Sequence, residues 1–301
     1  METWIPITIA AAFVQNLRSA AQKHLKGVMG TTGATFVRFG FGLPFALLFV
    51  VGLRFLALYP LPLPNAAFFG WSMLGGLAQI LATFLLIHLF SFRNFAVGTA
   101  YSRTEPAQAA LFGLMFLGER ASPGALVAIC ISVVGVMLIS VAHTELSLRN
   151  LIVSTLSRNA LIGLASGTAF GVAAVAYRAA SLALGGPNFM MQAAVTLAFV
   201  ITMQTLIMLL WMVARERAEI ARIAKAWKVS LFTGLAGASA SFGWFAAMTL
   251  EQAAVVKSLA QIEMIFTFAA SAYFFKERIS RLEVLGCLLI VGGILVLLAV
   301  G

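Results

Sequence analysis

Long apolar runs follow one another along this chain, separated by short polar turns. Ten can be marked off: Trp4–Ala21, Thr31–Leu53, Phe68–Leu89, Ala96–Leu117 and Pro123–Ala142, then Ile162–Ala179, Phe189–Trp211, Ala226–Ala247, Ala254–Phe275 and Arg281–Val300. Each has 18 or more residues, and at about 1.5 Å per helical residue that length matches the roughly 30 Å hydrocarbon core of a bilayer. Apolar and polar positions do not alternate within the runs, which excludes a transmembrane barrel. The pattern predicts an all-α polytopic membrane protein.

The pattern also repeats. Ala96–Leu138 and Ala254–Val296 superimpose without a gap at a shift of 158 positions, placing Glu105 on Glu263, Glu119 on Glu277, Arg120 on Arg278, Ser122 on Ser280 and Gly135 on Gly293. The same shift carries each of the first five runs onto one of the second five. A repeat with an odd number of spans starts its second copy on the opposite side of the membrane. The expected architecture is therefore ten transmembrane helices as two inverted five-helix repeats, the arrangement typical of secondary transporters. Residues 1–142 form the first repeat, 143–159 a linker and 160–301 the second.

Composition agrees. Hydrophobic residues make up 61% of the 301 and charged residues 10%, against about a quarter charged in soluble domains, so a water-exposed surface could not be covered. The net charge of +10 does not point to nucleic acid, because the Lys and Arg are scattered through short turns where anionic lipid accounts for them. The positive-inside rule makes the side holding Lys23, Lys26, Arg215, Arg217, Arg222 and Lys225 cytoplasmic, with both termini outside. Cys130 and Cys287 each sit inside an apolar run and read as packing residues. The N-terminal stretch has no basic leader and runs into Gln15, Asn16 and Arg18, unlike a secretory signal.

Charge inside a span is expensive, so it is paired or faces a cavity. On the fourth span Ser102, Glu105 and Gln108 share a helical face, with Tyr101 one turn earlier. Pro106 frees the carbonyl of Ser102. Two roles are open to Glu105: a structural ion pair with Arg38 or Arg18, or direct contact with substrate or proton. Burial favours its neutral acid form and a nearby arginine its carboxylate. Glu263 has the same choice, with Gln261 beside it and Lys257 on roughly the same face. Lys257 stands near the start of its span and can snorkel to the interface. Arg103 is a further buried cation. Arg18 is close to a span end, whereas Arg38 lies deeper and its guanidinium can bind both oxygens of a carboxylate. Tyr101, Tyr177 and Trp244 are candidates for lining a cavity; Trp71 suits the interfacial belt. The basic excess of Arg18, Arg38, Arg103 and Lys257 over Glu105 and Glu263 favours an anionic or zwitterionic solute.

The turns Gly118-Glu119-Arg120 and Lys276-Glu277-Arg278 precede Ser122 and Ser280 and read as helix ends and caps. His24, His88 and His143 are far apart, and no nucleotide-binding glycine loop occurs. Neither catalysis nor a metal or other cofactor is expected.

The Glu105-Pro106 element, the phrase Phe116-Leu117-Gly118-Glu119-Arg120-Ala121-Ser122 and the helix ending in Gly135 resemble the EamA-type domain, which occurs twice in drug/metabolite transporters. The second copy is similar through Phe274-Phe275-Lys276-Glu277-Arg278-Ile279-Ser280 and Gly292-Gly293, and Arg38 matches an arginine common on the family's second helix. Met264 departs from the family where a second proline often stands, and Lys276 replaces the glycine of the turn. The resemblance implies a ten-helix carrier, commonly an exporter of amino acids, metabolites or drugs. Its cavity would be lined by the third, fourth, eighth and ninth spans, in a bacterial inner membrane, as a monomer or homodimer. It also implies cytoplasmic termini, against the charge distribution.

Overall fold

The computed structural model describes residues 2–89, 91–92, 101–141, 158–186, 188–266 and 280–300. Among these residues the only regular structure is helical. The helices are α1 (Trp4–Lys26), α2 (Thr31–Gly40), α3 (Leu43–Phe55), α4 (Ala66–Leu89), α5 (Glu105–Leu117), α6 (Pro123–Val141), α7 (Arg158–Ala183), α8 (Phe189–Arg215), α9 (Arg217–Lys225), α10 (Trp227–Leu250), α11 (Ala253–Leu259) and α12 (Arg281–Val300). Six stretches are long and apolar enough to cross a membrane: Thr31–Phe55 (α2 and α3 end to end), α4, α7, α8, α10 and most of α12; α6 is a shorter apolar helix. Leu48, Leu210 and Leu288 are exposed, as expected of side chains facing lipid.

The long helices pair in a regular way. α1 lies along α10, α4 along α7, and α6 along α12. Because the 158-residue shift takes α1 to α7 and α4 to α10, the first two pairings are counterparts of each other, and the third is its own counterpart. Small residues permit the closest approaches, since van der Waals packing has to hold helices together in lipid. A methyl group on Gly135 would lie 2.6 Å from the Gly286 carbonyl oxygen, and one on Gly42 would lie 3.2 Å from that of Gly234.

Helix ends follow local chemistry. Ser122 Oγ accepts from the Ala125 amide at 3.0 Å. The Ser280 amide donates to Glu283 Oε2 at 2.8 Å while the Glu283 amide donates to Ser280 Oγ at 3.2 Å, a reciprocal capping box. Gly118 closes α5 at φ 68°, a left-handed residue that glycine adopts without penalty. The Glu119 turn does more than cap. Arg178 Nε donates to Glu119 Oε1 at 2.6 Å, and its Nη1 donates to the carbonyls of Met248 and Glu251 at 2.6 and 2.5 Å. The corresponding Lys276-Glu277-Arg278 turn and most of the linker lie outside the described residues.

Several spans differ from the sequence expectation. The first runs on to Lys26, so Arg18 stands two turns inside it rather than at its end. The second breaks at Phe41 and Gly42, where Pro44 has no N–H to offer the carbonyl of Gly40. The fourth and ninth are discontinuous too. Described helix in the fourth covers Tyr101 and Ser102, gives way to a turn at Arg103 and Thr104, and resumes at Glu105. In the ninth, the turn falls at Ala260 and Gln261. Between α8 and α10 lies the unanticipated amphipathic α9, whose buried Glu219 accepts the Gly30 amide at 2.7 Å and ion-pairs with Arg222. That carboxylate satisfies an open donor at the start of α2, where a helix N-terminus attracts negative charge.

Candidate functional site

The two broken spans meet at a narrow central cavity bordered also by α1, α2, α4, α7 and α10. Its free volume is about 70 Å³, room for about two waters at the ~30 Å³ each takes in the liquid. Arg18, Arg38, Ser102, Arg103, Glu105, Trp244, Lys257 and Glu263 all line it, together with Gln15, Gln79 and Tyr177.

Two ion pairs cross between the broken spans. Glu263 of the ninth pairs with Arg103 of the fourth. Glu105 of the fourth pairs with Lys257 of the ninth, at 2.9 Å. The polar contacts continue around the cavity. Lys257 Nζ lies 4.8 Å from the centre of the Trp244 ring, a cation–π contact. Trp244 Nε1 donates to Gln15 Oε1 at 2.8 Å, and Gln15 Nε2 donates to Glu263 Oε2 at 3.0 Å. The circuit therefore ties α1 and α10 to both broken spans.

This arrangement corrects three expectations. Glu105 pairs with neither Arg38 nor Arg18, because the reciprocal geometry puts Lys257 against it. Lys257 does not snorkel: its ammonium is turned onto Glu105 and its side chain is 14% exposed. Gln108, one turn beyond Glu105 in α5, is not among the residues that line the cavity. Its Nε2 donates to Thr104 Oγ1 at 2.7 Å, and it sits against Gly167 of α7. Tyr101 and Gln261 are buried but do not line the cavity. Gln261 Oε1 lacks a hydrogen-bond partner among the described residues.

The arginines are held by neutral groups. Arg38 donates to Thr83 Oγ1 at 3.2 Å and Ser241 Oγ at 3.4 Å. Arg18 donates to Gln22 Oε1 at 2.6 Å and Ser19 Oγ at 3.4 Å, and Gln22 is fixed in turn to the Ala34 carbonyl at 2.9 Å. Beside them Tyr177 OH donates to Gln79 Oε1 at 2.9 Å, and Gln204 Nε2 donates to the same oxygen at 3.0 Å. Sequence reasoning missed Thr83 and Ser241, since an isolated hydroxyl in a small-residue helix gives no signal of what it faces.

A buried polar cavity between the halves of a duplicated helical chain, with charge from both copies, is what a solute carrier requires. The profile of the EamA-like transporter family matches twice, over residues 2–141 and 158–299. This chain belongs to that family. It is a membrane transporter with two EamA domains, the membership that the Glu105-Pro106 and Gly118-Glu119-Arg120 phrases suggested. A solved structure described only as a crystal structure of a protein shares the transporter's fold. The TM-score is 0.71 over 98% of this chain and 96% of that one, at 17% identity. No curated protein matches.

Proposed function

We propose that the chain is a secondary transporter that exports a small organic solute by alternating access, exchanging proton for solute at the central cavity. Its ten helices form two inverted five-helix repeats, 1–142 and 160–301, joined by the linker 143–159. It works in a bacterial inner membrane as a monomer or homodimer. The observation that carries this reading is the pair of crossed ion pairs, Glu263 with Arg103 and Glu105 with Lys257. They hold the two broken spans together around a cavity too small for an organic solute. Protonating either carboxylate removes its attraction for the cation, so proton binding and opening are linked through the same contact. The pairing of α1 with α10 and of α4 with α7 supports a pseudo-two-fold relation between the halves, because exchanging them maps one contact onto the other, and the odd number of spans per repeat makes that relation an inversion. Export is the direction implied by the family resemblance.

Glu105→Gln keeps the shape of the side chain but cannot ionise. In proteoliposomes containing the purified transporter we expect it to lose proton-driven flux while expressing at the wild-type level. Wild-type flux from this variant refutes the proton-linked mechanism.

A further inference from the structure

The charges around the cavity do not balance. Among the described residues four cations line it (Arg18, Arg38, Arg103 and Lys257) against two carboxylates, Glu105 and Glu263. Each carboxylate is already matched, Glu263 to Arg103 and Glu105 to Lys257. Arg18 and Arg38 are left, and among the described residues neither has a carboxylate within ion-pairing distance. Both are more than nine-tenths buried, at 6% and 4% exposure. Their stems flank Gly237 of α10: a methyl group there would lie 3.2 Å from Arg38 Cγ and 3.4 Å from Arg18 Cδ. Arg18 Nε is a buried donor without a hydrogen-bond partner among the described residues.

Two neighbouring buried guanidiniums repel one another, and a charge without a counter-charge is costly to keep in the interior. Here the neighbours are hydroxyls and a glutamine, which orient a guanidinium without neutralising it. Guanidinium groups are also suited to gripping a carboxylate through two parallel hydrogen bonds.

We propose that Arg18 and Arg38 form the anion-binding half of the site, and that the solute is a small organic acid bound there through its carboxylate. The formal surplus of two positive charges matches a dicarboxylate best and a monocarboxylate next. An aliphatic diamine is excluded by the same surplus. This rests on the cavity being the transport site, and the two claims fail in different ways.

The test is a thermal-shift titration of the purified full-length transporter in detergent at constant ionic strength, using succinate, lactate, alanine, cadaverine and sodium chloride. Succinate should raise the melting temperature saturably, lactate more weakly, and cadaverine not at all. A ligand that binds only the folded state shifts it in this way. Arg38→Gln should weaken succinate binding by roughly tenfold or more, as expected for losing a charge-assisted contact. Arg38→Lys, which keeps the charge and guards against a folding defect, should retain part of the affinity. Arg217→Gln, on the exposed surface, should bind like the wild type. Binding of cadaverine but not of either acid overturns the proposal. So does acid binding indifferent to both Arg18→Gln and Arg38→Gln, a shift that chloride alone reproduces and abolishes by competition, or no saturable shift with either acid. Succinate binding without counterflow in proteoliposomes defeats the transport reading but leaves the anion site standing. Diamine flux unaffected by Arg38→Gln does the reverse.

Discussion

The fourth and ninth spans occupy equivalent places in the two copies, and both interrupt their helices just ahead of an acidic residue. The fourth has Pro106 immediately after Glu105; the ninth has Met264 after Glu263. In the ninth the turn is made by the backbone alone. The Gln261, Glu263 and Met264 amides each bond to the carbonyl three residues back, at 3.1, 3.1 and 3.0 Å. The Met264 amide, which a proline would lack, is used. The break therefore does not depend on proline. What the two spans share is a buried carboxylate held by a cation from the other span, and that cross-tie is the better candidate for fixing both turns.

The two ties are not equal, and perturbing them separately exposes the difference. Glu263 is the more buried: its side chain is 7% exposed against 19% for Glu105. It also accepts from Gln15, while Asn16 reaches its backbone carbonyl at 3.4 Å. We expect Glu263→Gln to have the largest effect, a loss of about 3 kcal/mol. That is the lower end for breaking a buried pair, because the Arg103 side chain is 31% exposed to the cavity. The melting temperature in detergent should fall further than for Glu105→Gln; the opposite order would remove the asymmetry.

A double-mutant cycle on Glu105→Gln and Lys257→Gln should come next, with a coupling of roughly 1–3 kcal/mol, as for contacting charges. Additive losses would mean that the 2.9 Å approach contributes no specific interaction. The smallest effect is expected from Pro106→Ala: a change within about 1 kcal/mol, since the ninth span turns without a proline. Hydrogen exchange across residues 101–110 should keep the turn's weak protection. A gain of about 3 kcal/mol, the cost of a proline inside a helix, would instead show that Pro106 imposes the break.

Local features were the easier part to read. Ser122 and Ser280 cap their helices, and Gly118 ends one, because capping depends on neighbours within a few residues. Glu105, Glu263, Arg38 and Arg18 were singled out because ionisable groups in apolar runs are conspicuous. Their partners were misjudged. Helical periodicity put Ser102 on one face with Glu105 and Gln108, and the two-residue turn at Arg103 and Thr104 interrupts that register. Lys257 was assigned to the interface from its place near the start of a span, whereas its ammonium pairs with Glu105 at the cavity.

Sequence by itself determined the membrane-embedded helical class, the two-copy organisation and the identity of the charged residues that line the cavity. Each depends on quantities that add along the chain: apolar length, a fixed shift and the solvation cost of single side chains. Tertiary structure decided which cation meets which carboxylate, which helices are interrupted, and which arginines remain without an acid. Arg103 and Glu263 are separated by more than a whole repeat in sequence, and no periodicity within either span encodes the contact between them. Charge pairing in a low-dielectric interior is set by ångström-scale distance, and only the packing of one broken span against the other supplies that distance.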